Sequence, residues 1–337
     1  MENCKKSTKK IIAEWIIALT VAILILNIAI VPLYHFAPWI DTPCNATTGL
    51  FAPGSTIIYG LEGVSVRKVD TNGYVNPEYR VNNNDYILFM GASHSVGKEV
   101  PFGKNYVDLL EREGGYDVYN IAMDGNYFVE IMQGFDAAVK QFDGARSVVI
   151  EIGGVNLTKE ELEQTKETRD YNAEYTGECI IENMPLKGKI KMYIQNYFPL
   201  LRQIQRNIKS TNESTLESSV SYAEIDTNDY INLLDSIFAE KRNTFDGDII
   251  IVYHPSIILK DDGIEILKDE RLEDFKRVCK KNDIEFIDLS EEFSDLYYTQ
   301  NSLPYGFNNT VLGRGHLNKN GHRAIADKLI DYFDNKR

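Results

Sequence analysis

Five short and almost uninterrupted apolar runs constrain the fold of this chain more than any other feature. They occupy residues 86–90, 117–121, 147–152, 248–253 and 284–288. Runs of this kind are typical of strands buried on both faces, as in parallel sheets. Apolar stripes at helical spacing lie between them, for example across residues 128–142 and 230–238. The alternation predicts an α/β fold with a doubly wound, mostly parallel five-stranded sheet and helices on both faces.

Charge and cysteine content exclude several classes of function. The net charge of −14 argues against a nucleic-acid partner, because a polyphosphate attracts the opposite sign. Four cysteines in 337 residues do not form a disulfide framework. Cys279 lies on the apolar face of a predicted helix and is interpreted as core, whereas a bridge between Cys44 and Cys179 stays open. The sequence contains neither CxxC nor HExxH, so we expect no metal and no other cofactor.

The N-terminal segment predicts a membrane anchor. Residues 15–34 are almost all apolar, and about 20 such residues span the hydrocarbon core of a bilayer. Four lysines precede the run, and positive charge stays on the cytoplasmic side. We therefore expect a cytoplasmic leader over 1–10, a transmembrane helix over 11–34, and the rest of the chain outside. A cleaved signal peptide is the alternative, but its apolar region is usually shorter and ends in a small-x-small site, which residues 27–32 lack.

The remainder divides into a stem and one large domain. Residues 35–84 are rich in Pro, Gly, Thr and Asn and are interpreted as an extracytoplasmic stem with a few edge strands. Residues 85–337 carry the strand and helix alternation. Residues 158–222 interrupt it with a charged helix, several tyrosines and a Ser/Thr-rich end. A segment of this length is either a lid or binding element or a helical cover for the sheet edge.

Candidate catalytic residues follow the predicted strands, where ligands bind in such sheets. Ser93 comes directly after the first run, on a turn that would expose its hydroxyl and nearby backbone N–H groups. Ser95 is a less favoured alternative nucleophile. Gly125 follows the second run and Asn156 the third, and both could donate hydrogen bonds to a developing negative charge. His316, just before a predicted terminal helix, is a candidate general base.

Taken in order, these fragments resemble the four sequence blocks of the SGNH hydrolases, also called GDSL-type esterases. Ser93 matches the nucleophile, Gly125 the oxyanion glycine, Asn156 the third-block asparagine and His316 the base. The resemblance covers about residues 85–333 without the insertion. It implies a flavodoxin-like fold and acyl transfer by nucleophilic catalysis.

Three positions depart from the pattern of that family. Ala92 stands where the family has the aspartate of G-D-S, and Leu157 replaces an aspartate that often follows the asparagine. Gly313 occupies the place of the usual triad acid, three residues before the histidine. Either a Ser–His dyad operates or an acid comes from elsewhere, and Asp288 at the end of the last run is then the nearest candidate by topology.

The sequence therefore predicts a membrane-anchored serine esterase outside the cytoplasm, acting on O-acyl groups, such as acetyl, of a surface or extracellular carbohydrate. His94, His254 and Asp288 are further candidates for substrate contact. An O-acyltransferase would use the same residues, with a sugar hydroxyl in place of water. A membrane-tethered binding or scaffold protein with a degenerate site is the third possibility, and the missing acid at Gly313 is its main support.

Overall fold

A computed structural model describes residues 8–34, 50–77 without 52, 55 and 61, 84–168, 185–188 with 190, and 225–336. Its helices, in chain order, are α1 (Thr8–Tyr34), α2 (Ser93–Val96), α3 (Tyr106–Gly114), α4 (Phe128–Gln141), α5 (Lys159–Gln164), α6 (Thr227–Thr244), α7 (Leu272–Lys281), α8 (Ser290–Tyr298) and α9 (Lys319–Asp334). Its strands are β1 (Thr56–Tyr59), β2 (Ser65–Lys68), β3 (Tyr86–Met90), β4 (Val118–Asn120), β5 (Ala145–Ile152), β6 (Asp248–Tyr253), β7 (Ile257–Lys260), β8 (Gly263–Ile266) and β9 (Glu285–Asp288).

A five-stranded parallel sheet in the order β4-β3-β5-β6-β9 forms the centre of the molecule. Each strand coincides with one of the five apolar runs. All five residues of β3 are buried, as are the last six of β5, which is why their sequence is apolar without alternation. The predicted doubly wound α/β fold is confirmed.

Helices cover both faces of the sheet and bury two separate apolar cores. On one face α4, α6 and α7 pack through side chains that include Phe135, Phe238 and Phe275. Cys279 is buried in this core, as predicted. On the other face α3, α8 and α9 pack through side chains that include Leu110 and Phe293. The sheet is thereby closed to water on both sides, and its strand ends remain as the place for a site.

Residues 50–77, which the sequence analysis places in the stem, pack against the domain. Strands β1 and β2 form an antiparallel hairpin, and its residues Ile57 and Tyr59 share a small buried cluster with Val96 of α2 and with Ala122 of the loop that follows β4. Gly60 and residues 62–64, the described residues between these two strands, therefore lie at the carboxyl edge of the main sheet.

The N-terminal helix α1 is long and apolar enough to cross a membrane. Most of its apolar side chains between Trp15 and Leu26 are exposed, for example 73 % of Trp15 and 63 % of Ile17. Only 6 % of the window Lys10–Asn27 is buried inside the molecule, so the helix is not a core element. A membrane span and a signal sequence both fit these facts.

Two sequence predictions fall mainly outside the described residues. Of the insertion 158–222, the structure describes the start, with helix α5, and a few residues near 187. Cys44 and Cys179 also lie outside the described residues.

Candidate active site

Ser93 is the first residue of the short helix α2, three residues after β3 ends. Glu151 of β5 holds the turn before Ser93, because the Ala92 N–H donates to Glu151 Oε2 at 3.0 Å. Ser95 is completely buried, and its Oγ donates to the same oxygen at 2.8 Å and also contacts the Tyr106 hydroxyl at 2.5 Å. These contacts make Ser95 part of the support for the turn and leave Ser93 as the half-buried hydroxyl at its rim.

His316 connects Ser93 to a carboxylate. Its Nε2 lies 2.8 Å from Ser93 Oγ, and its Nδ1 lies 2.7 Å from Glu62 Oε2. The His316 backbone N–H also donates to Glu62 Oε2 at 3.0 Å. Because the carboxylate accepts the proton on Nδ1, Nε2 is the free acceptor that faces the serine hydroxyl. Ser93, His316 and Glu62 thus form a continuous hydrogen-bonded path of hydroxyl, imidazole and carboxylate, the order found in serine hydrolase triads.

The acid position beside His316 belongs to Glu62 and not to Asp288. Asp288 ends β9 at the sheet edge, three strands from β3, a distance of about 14 Å at the usual strand spacing. Its carboxylate pairs instead with Lys276 at 2.8 Å and accepts hydrogen bonds from Ser290. The dyad without an acid is not what the structure shows either.

Glu62 reaches the site on the turn between β1 and β2. Asn309 holds this turn, since its Oδ1 accepts from the Gly63 N–H at 2.9 Å and its Nδ2 donates to the Gly60 carbonyl at 3.1 Å. Gly315, the residue before His316, leaves space for this carboxylate. Its φ is +82°, and a Cβ at this position would stand 2.8 Å from Glu62 Oε2. The sequence signal for Glu62 is weak: a single carboxylate between Gly60 and Gly63, in a segment predicted as a stem with a few edge strands.

The surroundings of His316 favour its protonated form. Burial alone would lower the pKa of His316, but the hydrogen bond to Glu62 and the nearby carboxylate of Glu99 together raise it above its ordinary value. Glu99 Oε1 lies 3.8 Å from His316 Nε2. A histidine with a raised pKa is a stronger base for the Ser93 proton.

Gly125 and Asn156 lie on the loops after β4 and β5, the two strands that flank β3 in the sheet. The Gly125 loop is tied to the loop that carries Ser93, because the Met123 N–H donates to the Gly91 carbonyl at 3.1 Å. Gly125 has a φ of +78°, and no atom lies within 4 Å of the place where a Cβ would stand, so its backbone faces open space. Asn156 Oδ1 accepts from the Arg271 N–H at 3.1 Å, an arrangement that turns its amide NH2 toward other partners.

His254, another of the predicted site residues, is buried and hydrogen-bonded through both ring nitrogens. His254 is 2 % exposed, and both its ring nitrogens are used, by Glu151 Oε1 at 2.6 Å and by the Tyr305 hydroxyl at 2.8 Å. Burial would raise the pKa of Glu151, but the hydrogen bond and the charge of His254 lower it to about 2. His254 therefore borders the cleft as a structural partner of Glu151, without a nitrogen left for substrate.

His94 has one nitrogen left. Its ring stands between those of His254 and His316, at centroid distances of 4.6 and 5.2 Å. Burial and the neighbouring His254 lower its pKa well below the ordinary value, so the ring is neutral. Its Nδ1 accepts from the Leu317 N–H at 3.1 Å, which leaves the second nitrogen as a donor. His94 also lines the cleft, and its contact with substrate stays a prediction.

An open cleft of about 850 Å³ borders the chain neighbours of Ser93 and His316, because Ala92, His94 and Gly315 are among its lining residues. Among its lining residues are His94, Asn156, Tyr127, Arg314 and Gly315. Tyr127 is 68 % exposed and presents an aromatic ring to the cleft. The volume is that of a site for a ligand the size of a short oligosaccharide or a drug molecule. Within the described ranges, no group of three or more His, Cys, Asp or Glu side chains is placed to hold a metal ion.

Comparison of the sequence with protein-family models and with curated proteins finds no match. Among solved structures, the chain is similar to an acetyl xylan esterase, with a TM-score of 0.40, 13 % identity and coverage of 73 % of this chain and 98 % of the other. An acetyl xylan esterase from the rumen bacterium Butyrivibrio proteoclasticus gives a TM-score of 0.36 and 11 % identity over 80 % of this chain and 67 % of the other. A peptidoglycan O-acetylesterase gives a TM-score of 0.33 and 14 % identity over 65 % of this chain and 46 % of the other. Because these values are low, we base the functional proposal on the geometry of the site.

Proposed function

We propose that this chain is a serine esterase of SGNH type that uses Ser93, His316 and Glu62. One observation carries the proposal: the unbroken path from Ser93 Oγ through His316 to Glu62, with distances of 2.8 and 2.7 Å. Such a path lets a hydroxyl lose its proton as it attacks a carbonyl carbon. The carboxylate keeps the imidazole in the required tautomer and stabilises the imidazolium that forms.

The reaction would proceed in two halves. Ser93 Oγ attacks the ester carbonyl while its proton moves to His316 Nε2. The resulting oxyanion would be held by the Ser93 and Gly125 N–H groups and by the Asn156 amide. The imidazolium then gives its proton to the leaving alcohol, and an acyl-serine remains. Water, deprotonated by His316, attacks the acyl-serine, and collapse of the second tetrahedral intermediate releases the acid and returns the proton to Ser93.

The substrate class that we propose is an O-acetylated carbohydrate. The cleft is wide enough for several sugar units, and its lining joins hydrogen-bonding side chains such as Asn156 and His94 with the exposed ring of Tyr127. A sugar ring carries hydroxyl groups around its edge and C–H groups on its face. Hydrogen-bonding side chains can bind the hydroxyl groups, and an aromatic ring can pack against the C–H groups.

Helix α1 would anchor the enzyme in a membrane. It is 27 residues long, so it extends about 40 Å and exceeds the hydrocarbon thickness of about 30 Å. Its exposed apolar side chains would be covered by lipid, and the lysines before it and in its first turn (Lys5, Lys6, Lys9 and Lys10) would stay on the cytoplasmic side. Mass spectrometry of the mature protein tests this point, since a chain that begins after residue 34 would be a secreted enzyme instead.

Acetate release by the full chain in detergent tests the proposed activity. We expect acetate from an O-acetylated polysaccharide and hydrolysis of p-nitrophenyl acetate, with loss of both in Ser93→Ala. A full chain that binds the polysaccharide but releases no acetate from either substrate would point to a binding protein. Acetyl transfer to an added sugar in place of acetate release would identify an O-acyltransferase.

A further inference from the structure

Glu99 is a second carboxylate beside the catalytic histidine, and it is not part of the hydrogen-bonded path. It follows helix α2 by three residues and is 1 % exposed. Its Oε1 is buried and has no hydrogen-bond partner among the residues that the structure describes. The same oxygen lies 3.8 Å from His316 Nε2, the nitrogen that faces Ser93.

A buried carboxylate oxygen without a hydrogen-bond partner is unfavourable for folding, because the charged form loses hydration there that no hydrogen bond replaces. The Lys98 ammonium offsets this only in part, because other groups share it. Lys98 Nζ forms an ion pair with Asp124 and lies over the ring of Tyr59 at 5.5 Å. Burial raises the pKa of Glu99 to about 7, and the Asp124 carboxylate adds to that rise, while His316 and Lys98 oppose it. The imidazole of His316 is therefore the group beside Glu99 whose charge changes during the reaction.

We propose that Glu99 is a positioning residue that acts through His316, with its carboxylate stabilising the imidazolium from the Nε2 side while Glu62 stabilises it from the Nδ1 side. The inference rests on the proposed function. The proton still moves only from Ser93 Oγ to His316 Nε2 and on to the leaving alcohol, and Glu99 exchanges none of it. Its contribution is electrostatic: the negative charge makes His316 a stronger base when Ser93 attacks.

The sign of the effect on pH dependence follows from this placement. The base works only when His316 is neutral, so activity falls as pH decreases through the pKa of His316. The charged groups that face His316 are Glu62, Glu99 and Lys98, and the neutral ring of His94 stands 5.2 Å from the His316 ring. Removal of the Glu99 charge lowers the pKa of His316, so the acid limb moves to lower pH. At 3.8 Å and a protein-like effective dielectric we expect a decrease of about one pH unit, since Glu99 is only partly ionised near neutrality.

The test compares Glu99→Gln and Glu99→Met with wild type, using the full chain in detergent. An NMR titration of labelled histidine measures the pKa of His316 directly, with the signal assigned by its loss in His316→Gln. Both variants should lower that pKa by about one unit, and Glu99→Asp should keep most of the wild-type value. Glu113→Gln is the matched control, because it removes an exposed carboxylate that pairs with Arg323 far from the site.

Kinetics supply the second measurement. In both neutral variants the acid limb of kcat/KM should move to lower pH, and the plateau should fall about five- to tenfold. An unchanged His316 pKa in both folded variants would overturn the inference, even if activity fell. If the wild type hydrolyses no ester, the proposed function fails by itself, whereas the titration still reports whether Glu99 acts on His316.

Discussion

Replacement of Glu62 by glutamine removes the negative charge beside His316 with little change of shape. In the wild type, Glu62 Oε2 accepts from both the Nδ1–H and the backbone N–H of His316, at 2.7 and 3.0 Å. The charges of a carboxylate and an imidazolium about 4 Å apart interact by about 4 kcal/mol at a protein-like effective dielectric. Since 1.36 kcal/mol corresponds to a factor of ten in rate, we expect kcat/KM to fall about 10³-fold.

This value can be measured with p-nitrophenyl acetate, and the pH profile provides an independent check. Loss of the Glu62 carboxylate lowers the pKa of His316, so the acid limb of kcat/KM should move to lower pH while the plateau falls. Circular dichroism and thermal unfolding would show that Glu62→Gln is folded, and Glu113→Gln serves as the charge-matched control. A folded Glu62→Gln enzyme within threefold of wild type would refute the role of Glu62 as the acid.

Three further substitutions test the surroundings of the path. Gly315→Ala would place a Cβ 2.8 Å from Glu62 Oε2 at a φ of +82°, so kcat/KM should fall about tenfold or more, and unchanged kinetics would contradict the stated contact. Glu151→Gln leaves buried His254 without its charged partner, so denaturant unfolding at pH 7 should show a loss of about 3 kcal/mol. Because the pKa of Glu151 is depressed from 4.5 to about 2, this difference should shrink as pH falls from 4.5 toward 2, and a constant difference would be inconsistent with it. Burial raises the pKa of Glu99 from 4.5 to about 7, so its ionisation opposes folding increasingly between pH 4.5 and 7. Glu99→Gln should therefore raise the free energy of unfolding by up to about 3 kcal/mol at pH 8 and by little at pH 4. A lower free energy of unfolding for Glu99→Gln at pH 8 would contradict this prediction.

The fold could be predicted because its signals are local. Each of the five parallel strands is a short apolar run, and each covering helix shows its own apolar stripe, so a window of a few residues suffices. The position of Ser93 could be predicted for a related reason, since it follows a buried strand, whereas His316 was predicted from its place just before the terminal helix and from the resemblance to the SGNH pattern. Carboxyl ends of parallel strands share one edge, and the structure places the two side chains within hydrogen-bond distance there.

Glu62 and Glu99 could not be predicted in the same way. Glu62 meets His316 across 254 residues of sequence, and its contact depends on the packing of a two-stranded hairpin onto the domain. The expected position, three residues before the histidine, holds Gly313, and topology alone pointed to Asp288 at the wrong edge of the sheet. Glu99 is one of 50 acidic residues, and its burial without a partner is a property of the folded chain alone.

The proposed esterase mechanism depends most on Ser93 as the nucleophile, and covalent labelling tests this role directly. The full chain in detergent is treated with a fluorophosphonate, and the modified peptide is identified by mass spectrometry. We predict a single adduct on Ser93 that is absent in Ser93→Ala and forms much more slowly in His316→Gln. An adduct on another residue, or equal labelling of Ser93→Ala, would contradict the assignment, and an unlabelled wild type would contradict the proposed serine esterase.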